Sequence, residues 1–169
     1  MVSSEVRSLG LDVGDKRTGV AMSDARGILA TPLTVLASIG ESALTEQVLK
    51  LVEQHKVERV VVGLPRRLSG DLGRQAGKVT DFAEKLSCLA KERGLNQLDI
   101  RLWDERLSTK AAERLKTKAG SQGGNRRSRG KRGAGNQNPA IKAEVDAIAA
   151  ALILQGFLDS QHLDDNEEC

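Results

Sequence analysis

The chain has 169 residues, 39% of them apolar and 29% charged, which suits one domain with a single core and excludes two-lobed kinases and eight-fold barrels. No apolar run approaches the ~18–20 residues of a membrane span, and the first residues lack the basic-then-apolar pattern of an export signal, so we expect a cytoplasmic protein. Two distant cysteines, Cys88 and Cys169, exclude a disulfide scaffold and a cysteine-rich zinc site. The net charge is only +3, but residues 110–142 hold ten Lys or Arg and one acid, so this stretch carries +9 and the rest −6.

The N-terminal part of the sequence predicts three strands. Val6–Asp12 and Thr18–Ser23 alternate apolar and small residues around a short polar turn, which is typical of a hairpin. Ile28–Leu36 is a third strand candidate. Pro32 favours either an edge position or a broken strand, because proline has no amide proton to donate to a strand ladder.

Helices alternate with strands in the rest of the chain. Ser38 and Glu41 have the spacing of a capping box before an apolar helical pattern, and the β-branched run Val57–Leu64 is typical of a central parallel strand. The elements that follow are a loop at Arg66–Arg74, a helix at Gln75–Arg93 that ends at Gly94, a strand at Leu98–Trp103, a helix that begins near Ser108, and a last helix at Ala140–Ser160. This order predicts an α/β fold with a mixed sheet of about five strands and helices on both faces.

Four acids are candidates for metal-dependent phosphoryl chemistry, which needs carboxylates that converge from different elements. Asp12 interrupts the apolar first strand, although an acid there can also serve the following turn. Asp146 lies in the apolar last helix, close to a predicted buried face, although it can also mark the polar boundary of that helix. Asp104 and Glu105 end a strand, where adjacent side chains point to opposite faces, so only one of them can readily join a site. The predicted buried face of the last helix consists of Val145, Ile148, Ala149 and Leu152.

Four motifs in order resemble the YqgF-type Holliday junction resolvase-like family, whose members include proteins described as pre-16S rRNA nucleases. They are GLDVGDKRTGVAMSD at Gly10–Asp24, VVGLPRRLSGDLGRQAGKV at Val61–Val79, LWDERLST at Leu102–Thr109 and VDAIAAALILQGFLD at Val145–Asp159. The resemblance implies an RNase H-like fold, a five-stranded sheet whose first three strands are antiparallel, and helices on both faces. It also implies an acidic site at Asp12, at Asp104 or Glu105, and at Asp146. We favour Asp12, Glu105 and Asp146 as ligands of Mg²⁺ or Mn²⁺.

Basic residues in three places are candidates for nucleic-acid binding. Lys16, Arg17 and Arg106 match basic positions of the family, which implies that they face the phosphate backbone. Arg66 and Arg67 lie where relatives commonly read LNMDG, so a contact made by that asparagine is absent from this chain. The third place is the Gly-rich stretch 119–138, for which we expect a flexible loop that grips RNA or DNA or is simply solvated. Its basic residues are Arg126, Arg127, Arg129, Lys131 and Arg132.

The scarcity of aromatic residues bears on how nucleic acid would be recognised. The chain has one Trp, two Phe and no Tyr, which argues against a platform of rings that stack on bases. Recognition of backbone phosphates by cations is the remaining expectation.

These observations predict one nuclease domain at 1–160, with the basic loop at 119–138, followed by an acidic tail at 161–169. We expect a metal-dependent endonuclease that acts on structured nucleic acid, as a monomer or a homodimer away from membranes. The family resemblance implies that it acts in 5′ processing of pre-16S rRNA. One alternative is a Holliday junction resolvase-like DNA nuclease, and another is a non-catalytic RNA-binding module of ribosome assembly. An actin-like ATPase is disfavoured, because that class needs two such lobes.

Overall fold

A computed structural model describes residues 6–37, 39–64, 74–104 and 139–167. The strands are β1 (Ser8–Val13), β2 (Arg17–Ser23), β3 (Ala30–Ala37), β4 (Arg59–Leu64) and β5 (Asp99–Asp104), and the helices are α1 (Glu41–His55), α2 (Arg74–Glu92) and α3 (Pro139–Glu167). The strands form one sheet in the order β3-β2-β1-β4-β5. β1, β2 and β3 pair antiparallel, whereas β4 pairs parallel with both β1 and β5. The predicted five-stranded mixed sheet with an antiparallel start is therefore confirmed.

Tight turns fix the register of the three N-terminal strands. The amide of Gly14 donates to the carbonyl oxygen of Arg17 (3.0 Å), which closes the β1–β2 hairpin. Asp24 Oδ1 accepts from the amides of Ile28 (2.7 Å) and Leu29 (3.2 Å), so a turn occupies residues that the sequence assigns to the third strand. β3 consequently begins at Ala30, and its position at the edge of the sheet accommodates Pro32 as predicted.

One face of the sheet packs against α1 and α2. Apolar side chains of the three central strands, the even residues of β2 and β4 among them, meet the apolar sides of the two helices there. β4 is buried on both faces, as the prediction of a central parallel strand requires. The predicted capping box is wrong, because α1 begins at Glu41 directly after Gly40 and has no side-chain cap. The fully buried side chains of this core are Leu9, Leu11, Val20, Val48, Leu49, Val60, Val62, Val79, Phe82 and Leu86.

The other face of the sheet packs against α3, the one element found there among the residues that the structure describes. The predicted buried side of α3 is wrong at three of its four positions, since Val145, Ile148 and Leu152 are about half exposed. α3 has apolar residues on several sides. The side that packs on the sheet carries small residues, and it lies against two glycines of the sheet, Gly10 and Gly19, which approach the helix closely. Its buried residues are Ala147, Ala150, Ile153, Leu154, Phe157 and Leu158. α3 also continues to Glu167, so residues 161–167 extend the helix rather than follow it.

Within the described ranges, no helix is long and apolar enough to cross a membrane.

A candidate acidic active site between the sheet and the last helix

Asp12 lies near the end of β1, on the face of the sheet that α3 covers. It pairs in register with Gly19 of β2. Directly opposed residues of an antiparallel pair lie on the same face, and residues two apart on a strand share a face. A Cβ at Gly19 or at Gly10 would collide with α3. The Asp12 side chain is therefore placed on the α3 side, while its neighbour Leu11 points into the opposite core.

Asp146 reaches the same place from α3 because the helix touches β2 there. A Cβ at Gly19 would stand 1.9 Å from the carbonyl oxygen of Asp146 and 3.1 Å from the amide nitrogen of Ala147, so only glycine allows this approach. Since Gly19 is the register partner of Asp12, the contact sets the second turn of α3 beside the end of β1. The sheet and the last helix thus bring together two of the predicted acids.

The electrostatics show that Asp146 lies close enough to act on the Asp12 carboxyl. Burial of Asp12 raises its pKa, and the nearby charge of Asp146 raises it further. Both effects disfavour the charged form of Asp12. A cation between the carboxylates would relieve both.

Arg17 is the cationic partner of Asp146. Its Nε lies 3.0 Å from Asp146 Oδ2, and the two side chains are 27% and 29% exposed. Arg17 is two residues from Gly19 on β2, so it shares the face that α3 covers. The three side chains of Asp12, Asp146 and Arg17 together carry −1.

The donors present fit a hard divalent cation. Carboxylate oxygens are the ligands that Mg²⁺ and Mn²⁺ prefer, and Mg²⁺ commonly uses one or two carboxylates plus waters and substrate phosphates. Within the part of the chain that the structure describes, no cluster of three or more His, Cys, Asp or Glu could hold a metal ion. The described site therefore offers two acids, Asp12 and Asp146, and Glu105 lies outside the described residues.

Asp104 is the last residue of β5, and it lies on the face of the sheet opposite to Asp12 and α3. Trp103 packs edge-to-face on Phe157 of α3, with ring centroids 5.6 Å apart and planes at 86°. Successive side chains of a strand alternate, so Asp104 lies on the α1 and α2 side. Its register partner Leu64 confirms this, because Leu64 packs against the core on that side.

The predicted nucleic-acid contacts are described only in part. Lys16 is exposed in the β1–β2 turn, next to Arg17. Beside them, Lys78 Nζ of α2 forms an ion pair with Asp15 Oδ1 (3.1 Å), which sequence reasoning missed. The other predicted contacts, Arg66, Arg67, Arg106, Arg126, Arg127, Arg129, Lys131 and Arg132, lie outside the described residues.

Sequence reasoning also missed the glycines that position the acids. Gly10 and Gly19 each stand opposite α3 with no room for a Cβ. The available signal was a pair of glycines inside strand patterns, which indicates a close backbone approach, together with the Ala-rich last helix.

Comparisons with known proteins identify the family. A model of the RuvX family, described as Holliday junction resolvase, matches residues 6–160. The chain belongs to the RuvX family. A curated relative from Bacillus cereus (strain G9842), named "Putative pre-16S rRNA nuclease", is 42% identical over 158 residues, which cover 92% of this chain and 100% of that protein. The resemblance seen in the sequence motifs is thus confirmed, and the family is one of nucleases.

Solved structures agree on the fold. The yeast mitochondrial Holliday junction resolvase Ydc2 matches with a TM-score of 0.56 at 14% identity, over 94% of this chain and 80% of that one. Thermus thermophilus RuvC in complex with a Holliday junction substrate matches with a TM-score of 0.53 at 14% identity, over 93% and 96%. At these identities the likeness shows the fold alone, the RNase H-like fold that the sequence predicts.

Proposed function

We propose that the chain is a metal-dependent endonuclease that hydrolyses phosphodiester bonds in precursor ribosomal RNA, at the 5′ side of pre-16S rRNA, in the cytoplasm. The observation that carries the proposal is the convergence of Asp12 and Asp146 at the contact between Gly19 and α3. The relative named for pre-16S rRNA, which covers almost the whole chain, supports the choice of substrate.

Three acids would hold Mg²⁺ or Mn²⁺ in this proposal: Asp12, Asp146 and Glu105. The bound cation would lower the pKa of an attacking water and stabilise the charge that develops on the phosphate. The protein's own contribution is geometric, because Gly19 of β2 pairs in register with Asp12 and lies against α3 at Asp146, which fixes the two carboxylates relative to each other.

We propose Glu105 rather than Asp104 as the third acid. Trp103 faces α3, and Asp104 faces the opposite core, as its register partner Leu64 does. Continued alternation beyond β5 would return the following side chain to the face of Asp12. Leu11 of β1 pairs with Val62 of β4, so the next residues, Asp12 and Gly63, lie level with each other. Gly63 pairs with Trp103, which therefore lies level with Asp12 on β5.

Basic residues would bind the phosphate backbone. Lys16 is exposed in the turn that follows β1, directly beyond Asp12. We assign the same role to Arg66, Arg67 and Arg106 and to the basic residues of 126–132. Three aromatic side chains in the whole chain leave little for base stacking, and Trp103 and Phe157 are engaged with each other.

A four-way DNA junction is the second candidate substrate. The family model carries the resolvase description, and the RuvC structure with a junction has the same fold. Resolution of a symmetric junction requires two active sites, so this alternative needs a homodimer. A non-catalytic RNA-binding module is the third, and it would make no use of the acidic pair.

A cleavage assay separates these candidates. Purified full-length protein with Mg²⁺ or Mn²⁺ is incubated with an RNA that spans the 5′ end of pre-16S rRNA and, separately, with a four-way DNA junction, and Asp12→Asn is the matched control. We expect RNA cleavage by the wild type and none by Asp12→Asn. Cleavage of the junction alone would replace the RNA proposal with the resolvase alternative. Equal trace activity in wild type and variant would leave only the binding module.

A further inference from the structure

The ion pair between Arg17 and Asp146 occupies one of the two described acids of the candidate site. Arg17 Nε lies 3.0 Å from Asp146 Oδ2, in a site that also contains Asp12. A divalent cation that binds to Asp146 would have to share this carboxylate with Arg17 or displace it.

We propose that Arg17 is a built-in counterion, which neutralises Asp146 until a divalent cation binds there and is then displaced to contact a substrate phosphate. This inference rests on the proposed function, since it concerns the cation and the phosphate of that reaction. It makes Arg17 a residue that couples binding of the metal to binding of nucleic acid.

Electrostatics supply the first argument. The three side chains carry −1 with Arg17 in place and would present −2 to a cation without it. A guanidinium in contact with Asp146 stands close enough to a cation on the same carboxylate to repel it strongly. The repulsion is relieved if Arg17 leaves as the cation enters.

The geometry of Arg17 supplies the second argument. Its backbone is fixed as the first residue of β2, where its carbonyl oxygen accepts from the amide of Gly14 (3.0 Å). Its side chain is 27% exposed, so the guanidinium has a route to solvent without any change of backbone. A long side chain on a fixed base can exchange a carboxylate for a phosphate, and guanidinium binds both groups well.

The opposite reading is that Arg17 holds Asp146 permanently in position for the metal. The two readings predict opposite changes in metal affinity when Arg17 is neutralised. A positioning arginine makes the cation bind more weakly when it is lost, whereas a displaced counterion makes the cation bind more tightly.

The test measures Mn²⁺ affinity of the full-length protein without nucleic acid, from the electron paramagnetic resonance signal of free Mn²⁺. We expect Arg17→Gln to bind Mn²⁺ about tenfold more tightly than wild type, as expected for one positive charge a few ångströms from a divalent ion in a partly hydrated site. Arg17→Lys keeps the charge and should stay near wild type. Arg26→Gln, an equal loss of charge at an exposed position in the β2–β3 turn, should also stay near wild type.

A second measurement tests the coupling. Ca²⁺, another cation with oxygen ligands, should raise the affinity of the wild type for RNA, and this gain should be smaller in Arg17→Gln. One contrary outcome is that wild type binds Mn²⁺ and Asp12→Asn does not, but Arg17→Gln binds it no more tightly than wild type. This result would overturn the counterion role and leave the proposed metal site intact. Mn²⁺ binding that is absent, or that ignores Asp12→Asn, would overturn both.

Discussion

Gly19 and Asp146 are in contact through their backbones, because a Cβ on Gly19 would stand 1.9 Å from the Asp146 carbonyl oxygen. Gly19 is also the register partner of Asp12. One residue without a side chain thus links the strand that carries one acid to the helix that carries the other. The candidate site depends on this contact more than on any other described feature.

Gly19→Ala should therefore damage both stability and activity. The added methyl group must push α3 away from β2, and overpacking of this kind typically costs ~1–3 kcal/mol of the free energy of unfolding. The displaced helix would carry Asp146 away from Asp12, so cleavage should fall more than the fraction of folded protein does. Chemical denaturation and cleavage rate at matched folded concentration measure the two effects.

The matched control is Gly77→Ala in α2, where an added Cβ meets nothing within 4 Å. Alanine is favoured over glycine inside a helix by ~0.5–1 kcal/mol, so this variant should be slightly more stable and fully active. A Gly19→Ala protein that resembled Gly77→Ala in both measurements would show that the close contact has no role.

Asp12→Asn should lose activity yet gain stability. Burial and the charge of Asp146 raise the pKa of Asp12 in the folded chain above its ordinary value of 3.8. An acid whose pKa is raised by folding destabilises the fold at every pH above the raised value, and this penalty fades as the pH falls towards 3.8. The variant lacks the penalty, so it should be more stable than wild type at neutral pH.

Denaturation curves of both proteins across the acidic range measure the difference. The excess stability of Asp12→Asn should narrow as the pH decreases and vanish below about 3.8, the ordinary pKa of aspartate. A variant less stable than wild type at neutral pH would mean that the Asp12 carboxylate is held by favourable partners rather than strained by burial.

Glu105→Gln should abolish cleavage, whereas Asp104→Asn should leave most of it. Loss of a direct metal ligand should exceed the ~10–100-fold effect that is typical of groups one shell further out. Asp104 lies on the face of β5 away from Asp12, with Leu64 as its register partner. Steady-state cleavage with saturating Mg²⁺ distinguishes the two variants. The reverse ranking would show that the strand alternation does not continue beyond β5 to the site acid.

Neutralisation of the basic residues of 126–132 should weaken binding of nucleic acid and make the affinity less dependent on salt concentration. The variant replaces the five basic residues of 126–132 with glutamine. Each phosphate contact contributes ~0.7–0.9 to the slope of log affinity against log salt concentration. If all five residues contact phosphates, the slope should become shallower by ~3.5–4.5. An unchanged slope would indicate a solvated segment without a role in binding.

Much of the fold follows from local sequence patterns. The β-branched run Val57–Leu64 predicts a strand that is covered on both faces, as β4 is. Gly94 has a φ of +79° and lies just after the end of α2, where the sequence predicts the helix to stop. Pro32 indicated an edge or a broken strand, and it lies in the edge strand β3. In each case a steric or hydrogen-bonding property of single residues decides the outcome.

The orientation of α3 could not be predicted in the same way. The helix has apolar residues on opposite sides, so periodicity cannot choose between Val145, Ile148 and Leu152 on one side and Leu154 and Phe157 on the other. The choice is made by backbone approach at Gly10 and Gly19, which is a tertiary property. Asp146 faces the site because of that choice. Its pairing with Arg17 is equally invisible in the sequence, because the two residues are far apart along the chain.

The most direct test of the central claim is anomalous diffraction from crystals of the full-length protein grown with Mn²⁺. The account predicts an anomalous peak within ~2–2.5 Å of carboxylate oxygens of both Asp12 and Asp146, with Arg17 no longer in contact with Asp146. Crystals with Mn²⁺ in the medium that show no peak at these carboxylates, and an intact Arg17–Asp146 pair, would contradict it.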